Sequence, residues 1–269
     1  MPSSQKPLPV SLPDAVSWSI KLYASRFQLF LLLVVTASLP GIIFQVASLV
    51  NSDQLNTILV LLWLLSVGVS IVFTTALIIA IMNTAEQKTA QASFADFLSL
   101  SLRKFWFFLG AAILAVLPQA ILFKIVDALS LRAEHASLGL AFFILVFSLF
   151  AIVFAVYITI VFSMFPFVII ETHLAPVAAL RKSFELIHGA FWGVTGALML
   201  AFVILLAVAL PFFVGFSLMG VPKPVMSVAL NAVGMVLLPF LLGYYYRIYL
   251  ALKERGNTIS IAVYENMGN

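Results

Sequence analysis

The sequence predicts an all-α membrane protein with six transmembrane helices and three amphipathic helices on the cytoplasmic surface. Three observations carry this expectation. Apolar residues make up 64% of the chain and charged residues only 9%, where a soluble domain has roughly half and about a quarter. Six apolar runs are long enough to cross a hydrocarbon core of about 30 Å, which takes roughly 20 helical residues. In three places an amphipathic stretch leads directly into such a run.

With a mean hydropathy of +1.18, a water-soluble fold is excluded. The few charges fall in short clusters between apolar runs and leave no polar stretch for a second domain, so residues 1–269 read as a single membrane domain. The polar, proline-dotted stretch before Phe27 has no apolar segment followed by a small-residue cleavage site, so no cleaved signal peptide is expected.

The expected spans are Phe27–Val50, Thr57–Asn83, Phe105–Val126, Leu138–Ile170, Phe191–Met219 and Pro224–Leu252. Backbone groups must find partners internally in lipid, so continuous apolar runs of this length are helices rather than barrel strands. The fourth run is too long for a straight crossing, and a tilt, or a break near Pro166, is expected.

Basic residues set the orientation, because lysine and arginine are retained in cytoplasmic loops. Lys6, Lys21, Arg26, Lys88, Arg103, Lys104, Arg181, Lys182, Arg247, Lys253 and Arg255 fall on one side of the six-span arrangement, and only Lys124, Arg132 and Lys223 on the other. Both termini are therefore expected in the cytoplasm. Tyr244, Tyr245, Tyr246 and Tyr249 beside Arg247 read as an aromatic and basic belt at the exit of the last span.

The amphipathic stretches share one pattern. Val16, Ile20, Tyr23 and Phe27 fall at spacings of four, three and four, as do Phe94, Leu98, Ser101 and Phe105, and Leu180, Phe184, Ile187 and Phe191. Ala37, Leu39, Pro40 and Ile43 recur 78 residues later as Ala115, Leu117, Pro118 and Ile121, and Trp106 and Trp192 each follow the last phenylalanine of their stretch. The expected unit is an interfacial helix plus a two-helix hairpin, repeated over 10–83, 92–170 and 175–253. Its polar faces carry Lys21 and Arg26, Arg103 and Lys104, and Arg181 and Lys182, which suit anionic headgroups.

Few polar residues enter the spans. Gln119 and Asn231 are expected to bond across helices, Lys124 to snorkel to the outer interface, and Gln45 is a further polar exception. Prolines 40, 118, 211 and 239 are potential breaks or kinks. Gly189, Gly193, Ala197 and Ala201 form a ridge of small residues for close helix approach, within one chain or between copies. Glu171 ends the fourth span, and with Arg181 and Ser183 it forms the candidate polar cluster. Its structural alternative is a carboxylate that pairs with arginine or caps the next helix. Ser101 and Lys104 match a serine and lysine spacing of penicillin-binding enzymes without the partner motifs, so no significance is attached to them.

Phe165, Pro166, Phe167, Val168, Ile169, Ile170 and Glu171, followed by Ala178, Ala179, Leu180, Arg181, Lys182, Ser183, Phe184, Glu185 and Leu186, resemble the bacterial YciC-like inner-membrane proteins. These resemble in turn the membrane domain of some glycerophosphodiester phosphodiesterases. The stretch from Asn231 to Lys253, with its tyrosine and arginine exit, is a second point of similarity. The resemblance implies a polytopic protein of the bacterial inner membrane. Phosphodiesterase chemistry belongs to a soluble domain of the fused proteins and does not carry over.

The chain has no cysteine and three scattered histidines, so thiolate sites are excluded and neither a metal site nor a cofactor is expected. No catalytic motif appears and no enzyme is expected. Membrane lipids, with anionic headgroups on the cytoplasmic side, are the expected partners rather than nucleic acid. Protein partners and a homo-oligomer stay open. The leading expectation is a protein that organises lipids or partner proteins. The alternative is a transporter or permeation path for a small or lipid-like solute, and a third reading is a lipid-headgroup enzyme using Glu171 as base.

Overall fold

A computed structural model describes residues 11–50, 56–86, 92–130 and 138–267. Lys6, Lys88 and Arg132, which contribute to the charge asymmetry, lie outside the described residues. Among those described, the chain forms nine helices and no strand: α1 (Leu12–Ser25), α2 (Phe27–Val50), α3 (Asn56–Ala85), α4 (Phe94–Ser130), α5 (Leu138–Val161), α6 (Phe165–Thr172), α7 (Pro176–His188), α8 (Phe191–Leu218) and α9 (Lys223–Met267). Six stretches are long and apolar enough to cross a membrane: Phe27–Gln45, Leu59–Ala85, Phe94–Ser130, Gly139–Thr172, Phe191–Leu218 and Val225–Gly256.

Local chemistry sets the helix ends. Ser11 caps α1 by accepting from the Asp14 N–H at 3.3 Å, with Pro13 in the first turn. At the start of α4 the Ser93 N–H donates to Asp96 Oδ2 at 2.8 Å and the Asp96 N–H returns a bond to Ser93 Oγ at 3.4 Å, a reciprocal capping box. The expected fourth span divides: α5 stops at Val161, a turn covers Phe162 to Met164, and Pro166 sits in the first turn of α6. Proline is tolerated there because the first-turn N–H groups have no helical partner in any case.

One expectation changes form. The first and third amphipathic stretches are separate helices, α1 and α7, set off from the following spans at Arg26 and at Gly189 and Ala190. The second, Phe94 to Phe105, is instead the opening of the 37-residue helix α4. It holds no glycine or proline to interrupt the hydrogen-bond ladder, whereas α7 ends on Gly189. The last helix likewise runs past the expected end of its span at Leu252, to Met267.

The described structure divides into two compact units. In the unit made of Met1–Phe105 and Trp192–Asn269, α2 packs along α3, and α9 packs against α1, α2 and α3. Ser70 donates to the Ala37 carbonyl at 3.0 Å, joining α3 to α2. Phe30, Leu33, Val34 and Ala37 of α2 are buried with Ala76 to Met82 of α3 and Tyr244, Ile248 and Ala251 of α9. A Cβ on Gly243 of α9 would lie 3.4 Å from Leu22 and 3.8 Å from Ser19, so α1 and α9 meet through small residues.

In the other unit, Trp106–Phe191, α6 packs on α7 and α7 on α5. Rings of Phe108 and Phe165 lie 5.9 Å apart, and Pro176 comes close enough to Gly110 that a Cβ there would sit 3.1 Å from its ring. Small residues are buried on three of the unit's helices, Ala111 and Ala115 of α4, Ala151 and Ala155 of α5, and Ala179 and Ser183 of α7, beside large ones such as Phe108, Phe167, Ile169 and Ile187. Leu117, Ile121, Phe123, Phe142, Leu145 and Leu149 stay exposed. In lipid, tails are as apolar as leucine, so contact between helices rewards close approach rather than bulk.

Candidate functional site

The expected cluster lies around the joint between α6 and α7. His173 closes α6 in the left-handed region at φ 56°, its N–H donating to the Ile169 carbonyl at 3.2 Å, and α7 begins at Pro176 after two further residues. Glu171 stands in the last turn of α6, partly exposed. Arg181 turns along its own helix, with Nε 3.3 Å from Glu185 Oε1, and Lys182 Nζ lies 3.6 Å from Glu185 Oε2. Ser183 is fully buried and donates to the Val161 carbonyl at 2.8 Å. That carbonyl belongs to the last turn of α5, where backbone acceptors lack helical donors, so the hydroxyl closes a helix end. Arg181 and Ser183 thus face separate partners, Glu185 and Val161, and the joint gathers no reactive constellation from them.

Other polar expectations resolve in the same structural direction. Gln119 Nε2 donates to the Ala115 carbonyl at 3.2 Å on its own helix rather than across to another. Asn231 is exposed and bonds to no described neighbour. Lys124 is 86% exposed and stands 3.9 Å from Asp127 one turn on. Buried Ser101 donates to the Leu98 carbonyl at 2.8 Å.

A denser constellation lies where α1, α3 and α9 meet, and the sequence reading missed its shape. Tyr244, Tyr246 and Tyr249 are buried, not displayed as a belt. Tyr246 donates to Glu86 Oε1 at 2.8 Å, just beyond the end of α3. Its ring lies 6.5 Å from Trp18 of α1 and 6.1 Å from Tyr249, and the Arg247 guanidinium stands 5.9 Å from the centre of the Trp18 ring. Tyr244 donates to the Ala197 carbonyl at 3.1 Å, so the small-residue ridge of α8 receives a helix of the same chain. Beside them Ala15 and Ser19 on α1 are buried, and Gly243 on α9 comes close to Ser19 and Leu22. That run of small residues was the signal available in the sequence.

The chain matches no protein-family model, no curated protein and no solved structure. Among the described residues no group of three or more histidine, aspartate or glutamate side chains is placed to hold a metal ion. An open groove of about 550 Å³ at the start of α5 is lined by Gly139, Ala141, Phe142 and Leu145, all without polar side chains. In α1, burial raises the Tyr23 phenol above its usual titration range, and its oxygen has no hydrogen-bond partner among the described residues. What the arrangement does chemically is join helices and present cations, with Lys21, Arg103, Arg181 and Lys182 all on exposed surface.

Proposed function

We propose that this is a polytopic protein of the bacterial inner membrane, with both termini in the cytoplasm, that organises anionic lipids or partner proteins without catalysing a reaction. The observation that carries this reading is the pair α1 and α7. At 14 and 13 residues they are too short to cross a bilayer, at about 20 Å each. Each leads into a span, buries one face, and exposes basic and apolar side chains on the others. This is the pattern of a helix lying in the headgroup region. The commitment of Ser183 to Val161 and of Arg181 to Glu185 supports a structural role for the polar groups.

Burial also supports the threefold repeat. Ala15 and Ser19 of α1 correspond to Ala179 and Ser183 of α7, and Phe30, Leu33 and Ala37 of α2 to Val194, Ala197 and Ala201 of α8, all at a constant shift of 164 residues and all buried. The middle copy follows with Phe97 and Ser101 at a shift of 82, then Phe108, Ala111 and Ala115 at a shift of 78. Four residues, about one helical turn, are missing between them, at the place where the other copies break and α4 runs straight. The similarity to YciC-like proteins agrees with this reading.

The test is lipid retention. Protein extracted into polymer nanodiscs is expected to retain anionic phospholipid at least about twofold above the bulk membrane, and a variant carrying Lys21→Glu, Arg103→Glu and Lys182→Glu to lose the excess. Bulk composition around the native protein would overturn the lipid-organising reading. A permeation path is the second reading, favoured by prolines inside α2, α4, α8 and α9. Solute flux in reconstituted vesicles, absent from protein-free vesicles, would decide for it.

A further inference from the structure

Resting on the lipid reading, the geometry points to three matched membrane anchors, Ile20, Leu102 and Phe184, that dip into the boundary between headgroups and acyl chains of an anionic leaflet. Each directly follows a fully or almost fully buried serine, Ser19, Ser101 and Ser183, and successive members are 82 residues apart. The serines mark the face turned inward on each helix. One position further on the side chain swings by about 100°, and there the chain places a large apolar residue left open: Ile20 at 55%, Leu102 at 55% and Phe184 at 39% exposure. On each helix the position after the buried serine is a large apolar residue left open, while Phe97 of α4 and Leu180 and Ile187 of α7 are buried elsewhere on their helices.

Two features of the chain say what covers these side chains. The first is continuity with the membrane: α2 starts seven residues after Ile20, α8 seven after Phe184, and Leu102 lies on the very helix that crosses. Trp106, four residues beyond Leu102 in α4, and Trp192, at the start of α8, are also exposed, at 73% and 68%, and tryptophan favours the interface. The second is charge. Lys21, Arg103 and Lys182 stand beside the anchors, exposed, which suits phosphate groups at the depth where an interfacial helix sits, roughly 5–10 Å into the headgroup and acyl boundary. Partner proteins would cover such side chains equally well, but would not explain their placement at one register next to each span.

Because the native chain has no cysteine, single cysteines report cleanly. Ile20→Cys, Leu102→Cys and Phe184→Cys, with Ser17→Cys, Ser99→Cys and Glu185→Cys as exposed controls, are labelled with an environment-sensitive fluorophore in the full chain. The proteins are reconstituted into vesicles of phosphatidylcholine and phosphatidylglycerol. The anchor labels are expected to be quenched by shallow spin-labelled lipid at least about threefold more than the controls. Spin-labelled phosphatidylglycerol is expected to quench them about twofold more than the same mole fraction of spin-labelled phosphatidylcholine. Anchor labels as open to aqueous iodide as the controls, or equal quenching by the two lipids, would overturn the assignment. Retention of anionic lipid in nanodiscs alongside water-exposed anchors would overturn the anchors while leaving the lipid reading in place.

Discussion

Tyr246 and Glu86, 160 residues apart in sequence, are joined by a hydrogen bond of 2.8 Å from the phenol to the carboxylate. The bond ties the buried middle of α9 to the exit of α3, and the Tyr246 ring also meets Trp18 of α1. One side chain therefore connects three helices. Tyr246→Phe keeps the ring and removes the donor. A hydrogen bond to a charged group is worth about 1.5–3 kcal/mol, and the exposure of Glu86 favours the lower end. The variant is expected to unfold in detergent a few degrees below the native protein. Glu86→Gln, whose amide oxygen still accepts, should lose less than half as much.

Gly243 sits where α9 crosses α1. Gly243→Ala places its Cβ in ordinary contact with Leu22 and Ser19, and removing glycine from a helix interior gains up to about 1 kcal/mol, so thermal stability should hold or rise. Gly243→Leu has no room without separating the helices and should cost about 1–3 kcal/mol. Equal melting temperatures for the two variants would contradict the close crossing.

Ser183 and Arg181 separate a buried structural bond from a surface pair. Ser183→Ala leaves the Val161 carbonyl without its side-chain donor inside the protein, at a cost of about 1–3 kcal/mol. Arg181→Gln breaks an exposed pair with Glu185, worth no more than about 1 kcal/mol. Chemical denaturation of the two variants should differ accordingly. A larger loss in Arg181→Gln would assign that side chain a partner beyond Glu185.

Reporter fusions test the topology. Sites near residues 54, 130 and 222 should report the outer side, and sites near 90, 178 and 260 the cytoplasm. A reversed signal at any one loop would break the arrangement of six crossings.

The helices themselves were legible because apolar length is a direct reading of bilayer thickness: Phe27 to Val50 and Phe191 onward begin where the sequence placed them. Which face of a helix turns inward was much less legible. The spacing of Val16, Ile20, Tyr23 and Phe27 marks the apolar stripe of a surface helix, on which Ile20 is open, while the residues that turn inward on α1 are Ala15 and Ser19. Lipid lowers the reward for hiding a large apolar side chain, so small residues also turn inward, beside buried large ones such as Phe30, Ile78 and Ile81. The same shift moved the tyrosines of α9 from an expected belt into the core. Of the candidate cluster Glu171, Arg181 and Ser183, Arg181 turns to a neighbour one helical turn away and Ser183 to the end of α5.

The small residues among the inward ones, and the many bulky ones left on the outside, bear on what holds the helices together and what does not. Separating two helices within the bilayer trades protein contact for acyl-chain contact and exposes little to water, so the hydrophobic effect sets the depth of each helix rather than its neighbours. Cohesion rests on close van der Waals contact and on the few bonds that cross between elements, among them Ser70 to Ala37, Ser183 to Val161, Tyr244 to Ala197 and Tyr246 to Glu86. Backbone hydrogen bonds inside each span remain far costlier to break than these. Heat should thus part the helices well before it melts them, and the denatured state in lipid is a population of intact, dispersed rods that already hold their secondary structure.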